Sequence, residues 1–236
     1  MKIFARIRFY YSAFVISTVV SIMIVLLNLF PKKKGRILHF WNRVMLFFLG
    51  ASDVNVVGQP DERAQLYLMN HQGIVDIIVL EALLDKNLRW VAKKELFEVP
   101  WFGKLLSSAE MISVDREDRR GLIKLMKDVK ESLEVMHRPV AIFPEGTRSK
   151  DQRLLPFKEG AKFIAEKFGL VVQPVVILGS KSVVNEHEKI SIGGKMTVIF
   201  LPSIDTSKAP KDWYERLYRQ MQETIDRAKN DSGIVR

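Results

Sequence analysis

Cysteine is absent from this chain of 236 residues, and histidine occurs only four times, at His39, His71, His137 and His187. The first absence excludes disulfides, thiolate nucleophiles and thiolate-bound metals. The second leaves a histidine-based metal site without a nucleus, because no two of the four lie close in sequence. We therefore expect neither a metal nor a resident cofactor. Acidic residues are in deficit: 37 Lys and Arg against 27 Asp and Glu give a net charge of +10. Such an excess suits an anionic partner, whether a phospholipid surface, a phosphorylated substrate or nucleic acid. No nucleic-acid-binding module can be recognised, so nucleic acid is not expected as a partner. Internal repeats and low-complexity segments are missing as well. The length supports one substantial core rather than two.

Charge itself is absent from Phe9 to Phe30. As a helix, those roughly 22 residues would extend about 33 Å, enough for a bilayer core. The run is too long for the apolar part of a usual signal peptide, and Pro31-Lys32-Lys33-Lys34 is a poor cleavage context. The next stretch, Arg36 to Gly50, is aromatic-rich, with Arg36 and Arg43 as its only charges. It is short for a span. A helical hairpin dipping into one leaflet accounts for both segments, and a single span followed by a core helix is the competing arrangement. The expected division is residues 1–50 as membrane-anchoring helices and 51–236 as an α/β domain.

Beyond Gly50, short β-rich runs alternate with helical ones. Val54–Val57, Gln65–Met69, Leu88–Ala92, Val140–Phe143, Leu170–Leu178 and Met196–Leu201 read as strands. Ile74–Leu84, Arg120–Met136, Lys158–Phe168 and Lys211–Lys229 read as helices. The pattern predicts an α/β fold with a mixed, largely parallel sheet flanked by helices. Ser180–Gly194 reads as a surface excursion, and Lys229–Arg236 as a frayed tail.

Three clusters carry chemistry. In Asn70-His71-Gln72-Gly73-Ile74-Val75-Asp76, an imidazole precedes a carboxylate by five residues. A carboxylate can fix an imidazole's tautomer and stabilise its protonated form. Within one ideal helix the two side chains would lie about 140° apart. They meet only if His71 sits before the helix and Asp76 inside it, and a strand ending near Met69 with a turn at Asn70 permits that. Taken alone, the pair is equally compatible with an ordinary helix start. The second cluster, Phe143-Pro144-Glu145-Gly146-Thr147-Arg148, follows a buried strand into a turn, where α/β proteins place ligand sites. Arg148 offers a planar fork of donors suited to phosphate. The third brings Lys93 and Lys94 to the end of a strand, with Arg116 following a further extended segment. Charge runs of this kind also occur as plain solvated surface.

In this order and spacing the clusters resemble the motifs of the glycerolipid acyltransferase family, over about Val54 to Leu201. Asn70-His71 to Asp76 is similar to its first motif, and Lys93, Gly103 and Ile112 to Arg116 to its second. Phe143 to Arg148 is similar to its third, and Val172-Gln173-Pro174-Val175 to its fourth. One departure is Gly73, where members often carry Ser. The resemblance implies acyl transfer from acyl-CoA or acyl carrier protein to the sn-2 hydroxyl of lysophosphatidic acid. His71 would be the general base and Asp76 its orienter. Lys93 and Arg148 would bind the acceptor's phosphate, and Glu145, Gly146 and Thr147 would shape its pocket. Asn70 and Arg116 would lend support to an oxyanion or to the loops. The implied location is a phospholipid membrane, at the cytoplasmic face of a bacterial inner membrane. Two rivals remain: an acyltransferase for another acceptor, such as lyso-ornithine lipid or glycerol 3-phosphate, and a non-catalytic protein that binds anionic lipid. The sequence does not specify an oligomeric state.

Overall fold

In the computed structural model, residues 2–115, 119–150 and 153–232 are described. The chain opens with α1 (Lys2–Leu29), turns through a short 3-10 segment (Pro31–Lys33), and returns as α2 (Lys34–Phe48). Strand β1 (Val54–Val57) and β2 (Leu66–Met69) lead into α3 (Ile74–Leu83). Next come β3 (Arg89–Lys93), two short helices α4 (Lys94–Glu98) and α5 (Phe102–Ser108), and β4 (Ile112–Val114). Helix α6 (Arg119–Glu134), β5 (Val140–Ile142), α7 (Glu159–Phe168) and β6 (Val171–Leu178) follow. The last elements are α8 (Ser180–Val183), β7 (Met196–Phe200), β8 (Ile204–Asp205) and α9 (Trp213–Ser232).

The strands form one sheet in the order β1-β7-β6-β2-β5-β3-β4, with β8 paired to β6. Strand β2 runs parallel to both β5 and β6, and β3 runs parallel to β5 and β4. Among the described residues the antiparallel pairings are those of β6 with β7 and with β8. This is the mixed, largely parallel sheet that the alternation of strands and helices predicts. Because β2, β5 and β3 are neighbours running in one direction, the segments after Met69, Ile142 and Lys93 all leave the sheet at the same edge.

Both faces of the sheet are covered, which is why its strands read as unbroken apolar runs. Along β2 the period-two alternation divides the side chains. Tyr67 and Met69 join a cluster with α1, α2 and α3, while Leu66 and Leu68 join one with α6, α7 and α9. The amino-terminal helices and the sheet therefore share a core. Helix α1 contributes Val15, Val19, Val20, Met23 and Leu27 to it, one face of a helix at i, i+3 and i+4 spacing. Its other face exposes Ile3, Ile7, Tyr10, Phe14, Val25 and Leu29. By length and composition α1 is apolar enough to cross a membrane.

Two expectations are corrected. The stretch from Ser180 to Gly194 is not a plain surface excursion. It contains α8 and buries Ser180, Val183, Val184 and Ser191. The proposed frayed tail continues α9 through Ser232, and 233–236 lie outside the described residues. After Lys93 the chain folds as the short helices α4 and α5, joined through a tight turn. There Gly103 packs so closely that a Cβ would lie 2.0 Å from the Phe97 carbonyl oxygen.

Candidate active site

The site begins where β2 ends. Asn70 is buried, and its side-chain amide donates to the Ile177 carbonyl (2.8 Å) and accepts from the Ile177 amide (2.7 Å). Its side chain thus prolongs the pairing of β2 with β6 by one position. Both ends of that amide are committed to backbone, so Asn70 fixes the loop and is not directed at a reacting oxyanion. His71 then precedes α3, and Asp76 occupies the third helical position, the arrangement that the five-residue spacing requires.

His71 Nδ1 lies 3.0 Å from Asp76 Oδ2. The same oxygen accepts the backbone N–H groups of Gln72 (2.6 Å), just before the helix, and of its N-cap Gly73 (2.8 Å). Asp76 is wholly buried, and its other oxygen, Oδ1, has no hydrogen-bond partner among the described residues. A buried carboxylate oxygen left unpaired is a desolvation cost that a helix cap does not require. With Oδ2 accepting three hydrogen bonds, the proton between the pair belongs on Nδ1. That leaves Nε2 as the acceptor, the tautomer needed to take a proton from a hydroxyl. The imidazole face stacks on Phe143, centroids 3.7 Å apart and planes inclined by 14°.

A second carboxylate approaches from the turn after β5. Glu145 is also buried, with Oε1 accepting the His71 N–H and Oε2 accepting the Leu155 N–H, both at 2.7 Å. Burial pushes its pKa up to about 7, against the pull of those two donors. Ser149 N–H donates in turn to the His71 carbonyl at 2.8 Å. The turn is therefore tied to His71 through backbone on both sides. Glu145 was expected to wall the acceptor pocket, but its carboxylate points inward as a brace. Gly146 adopts φ +72°, a left-handed conformation that favours glycine, and Thr147 is exposed.

A cavity of about 420 Å³ adjoins the turn, lined by Val91, Val114, Leu122, Leu125, Phe143 and Gly146 among others. Lys158 and Asp115 supply charge to an otherwise apolar wall. Phe143 thus touches both the imidazole and the cavity.

The two expected phosphate ligands come from neighbouring strands, but each already has a carboxylate partner. Lys93 pairs with Glu95 at 2.8 Å, and Arg148 pairs with Glu186. Glu186 also accepts the Ile74 N–H at 3.3 Å, so it links the start of α3 to the β5 turn. Sequence reasoning missed Glu186 because it lies 112 residues from Ile74, inside a segment without periodic signal. Gln72 and Ser180, joined at 3.1 Å, were missed for the same reason. Arg116 lies outside the described residues. No group of three His, Asp or Glu side chains able to hold a metal ion occurs among the described residues.

A histidine is thus held by a buried carboxylate at the carboxyl edge of a mostly parallel sheet, beside a largely apolar cavity, in an α/β protein. The family model described as Acyltransferase matches residues 53–178, which include every element of this site up to β6. The chain belongs to that acyltransferase family and is an enzyme of that class. A 1-acyl-sn-glycerol-3-phosphate acyltransferase from Helicobacter pylori (strain J99) is 39% identical over 219 residues, 92% of each chain. A protein of the same description from Cocos nucifera is 30% identical over 227 residues, covering 93% of this chain and 72% of the other. The crystal structure of the 1-acyl-sn-glycerophosphate acyltransferase PlsC from Thermotoga maritima superposes with a TM-score of 0.74. It covers 97% of this chain and 96% of its own at 22% identity, a likeness of fold.

Proposed function

We propose that the protein transfers an acyl group from an acyl thioester to the sn-2 hydroxyl of 1-acyl-sn-glycerol 3-phosphate, giving phosphatidic acid. The observation that carries this reading is the 3.0 Å contact between His71 Nδ1 and the buried Asp76. The descriptions of the bacterial and plant relatives supply the acceptor. In this reading Nε2 of His71 takes the hydroxyl proton as the oxygen attacks the thioester carbonyl. The tetrahedral intermediate collapses by breaking the C–S bond, and the imidazolium returns the proton to the departing thiolate. Asp76 keeps the ring in the required tautomer and balances its transient charge. No covalent acyl-enzyme is needed, because the thioester is already activated.

Arg148 and Lys93 take the acceptor's phosphate, exchanging their carboxylate partners Glu186 and Glu95 for it. Gly146 and the exposed Thr147 border the acceptor, and the apolar cavity under Phe143 receives hydrocarbon. Membrane association follows from α1, whose outward face is apolar while its inward face is buried along the body. A helix bound along its length to the α/β body, and turned back through Pro31–Lys33 into α2, suits a hairpin resting in one leaflet better than a span leaving the body. We place that leaflet on the cytoplasmic side of a bacterial inner membrane, where acyl-CoA and acyl carrier protein are available. The test is an assay of the purified full chain with lysophosphatidic acid and either acyl-CoA or acyl carrier protein thioester. Phosphatidic acid with at least one donor is expected. Turnover only with another lysolipid would overturn the acceptor assignment.

A further inference from the structure

Helix α3 contains a second buried carboxylate that the mechanism above does not use. Glu81 is 2% exposed, and its Oε1 accepts the indole N–H of Trp90 at 2.6 Å. Trp90, itself 3% exposed, packs against Phe143 with centroids 5.3 Å apart and planes inclined by 30°. Phe143 in turn stacks on the His71 imidazole at 3.7 Å and 14°. Glu81 is therefore the fixed end of a line of rings that terminates at the general base. We propose that Glu81 is a positioning residue for His71, acting through the Trp90 and Phe143 rings. The inference rests on the reading of His71 as the base.

The two carboxylates of α3 restrain different motions of one ring. Asp76 holds Nδ1 in the imidazole plane, and a single hydrogen bond leaves the ring free to tilt about that contact. A stacked aromatic face resists the tilt, provided that the face itself cannot slide. Phe143 has no polar handle to hold it in place. Trp90 has one, and Glu81 receives it. Plain packing would be served more cheaply by an aliphatic side chain, since burying a carboxyl group carries a desolvation cost. Burial pushes the Glu81 pKa up to about 7, with the Trp90 N–H and the charge of Arg138 pulling the other way. Both restraints start from one rigid helix, so the ring's position is tied to a single element.

The test uses the full chain in detergent micelles and three variants. Glu81→Gln keeps a carbonyl acceptor for the indole, and Glu81→Leu removes it. Glu81→Leu with Trp90→Phe removes both polar groups, and so keeps the question open to test if the single Leu variant does not fold. Glu81→Leu should lower kcat about tenfold with both substrate KM values unchanged, while Glu81→Gln stays within about twofold of wild type. The double variant, with an unanchored ring, should lose about threefold in kcat. Alongside kinetics, the downfield Nδ1–H resonance of His71, assigned by its absence in His71→Gln, should broaden in Glu81→Leu and persist in Glu81→Gln. Wild-type kcat and an unaltered resonance in the Leu and double variants would overturn the proposal. So would a Glu81→Gln variant as impaired as Glu81→Leu. If the wild-type protein turned over no lysolipid, the functional reading would fail, yet the His71 resonance would still report whether Glu81 orders the ring.

Discussion

His71 is held from two sides by buried carboxylates with different work. On the α3 side, Asp76 touches the imidazole nitrogen itself. On the side of the β5 turn, Glu145 touches only the backbone, at His71 and at Leu155. In the proposed reaction Asp76 therefore sets the tautomer of the ring, while Glu145 sets where the ring's residue stands. Both carboxyl groups are buried, so burial does not separate their proposed roles. The atom each carboxylate meets does. Substitutions on the two sides should separate accordingly, the α3 side in rate and the turn side in stability.

The largest effect is expected from Asp76→Asn. The amide favours the wrong imidazole tautomer, and kcat should fall about 10³- to 10⁴-fold while the fold is retained. Steady-state kinetics beside a thermal melt checks both halves. A comparable loss of kcat in Glu145→Gln would dissolve the distinction between the two sides.

Glu145→Ala should act mainly on stability. It leaves two part-buried N–H groups without their acceptor, each costing up to about 1–3 kcal/mol. Acid and base behaviour sharpens the point. The Glu145 pKa stands at about 7 in the folded chain against an ordinary 4.5. Between these values the folded state binds more protons than the unfolded one, so stability falls as pH rises through that window. Glu81 contributes with the same sign. Melting temperatures should therefore be higher at pH 5 than at pH 8. The difference should shrink in Glu145→Gln, and a slope that does not change would show that Glu145 is not the titrating group.

Arg148→Ala should raise the KM for the acceptor about tenfold with little change in kcat, as expected when uniform phosphate binding is lost. An unchanged acceptor KM would remove Arg148 from the phosphate site. The smallest effect belongs to Gly73→Ser. Gly73 is extended at φ −173°, and an added Cβ would meet Glu186 Oε2 and Val184 O at 3.9 Å, ordinary contact distances. Ser at this N-cap position should change stability by only a few tenths of a kcal/mol, read as a small thermal shift. The departure from the family's common residue is thus sterically neutral.

The sequence disclosed the parts of this arrangement that depend on nearby residues. Spacing alone limited His71 and Asp76 to a turn followed by a helix, and the alternation of apolar runs located β1 at its observed bounds and most other elements within a residue or two. Contacts between distant segments left no such trace. Glu186 reaches Ile74 and Arg148 from a stretch with neither helical nor strand period, and Asn70 meets Ile177 across 107 residues. The inward turn of Glu145 was hidden for another reason. A carboxylate in a polar turn reads as exposed until the partners that bury it are known. Helices α4 and α5 are too short to show a period.

In the proposed reaction His71 removes the acceptor's proton. The most direct measurement is the single-turnover rate of His71→Ala with lysophosphatidic acid and the donor that supports the wild type. The variant should melt as a folded protein and form no phosphatidic acid above the uncatalysed background. Turnover within about tenfold of wild type would contradict the claim and assign the base to another group.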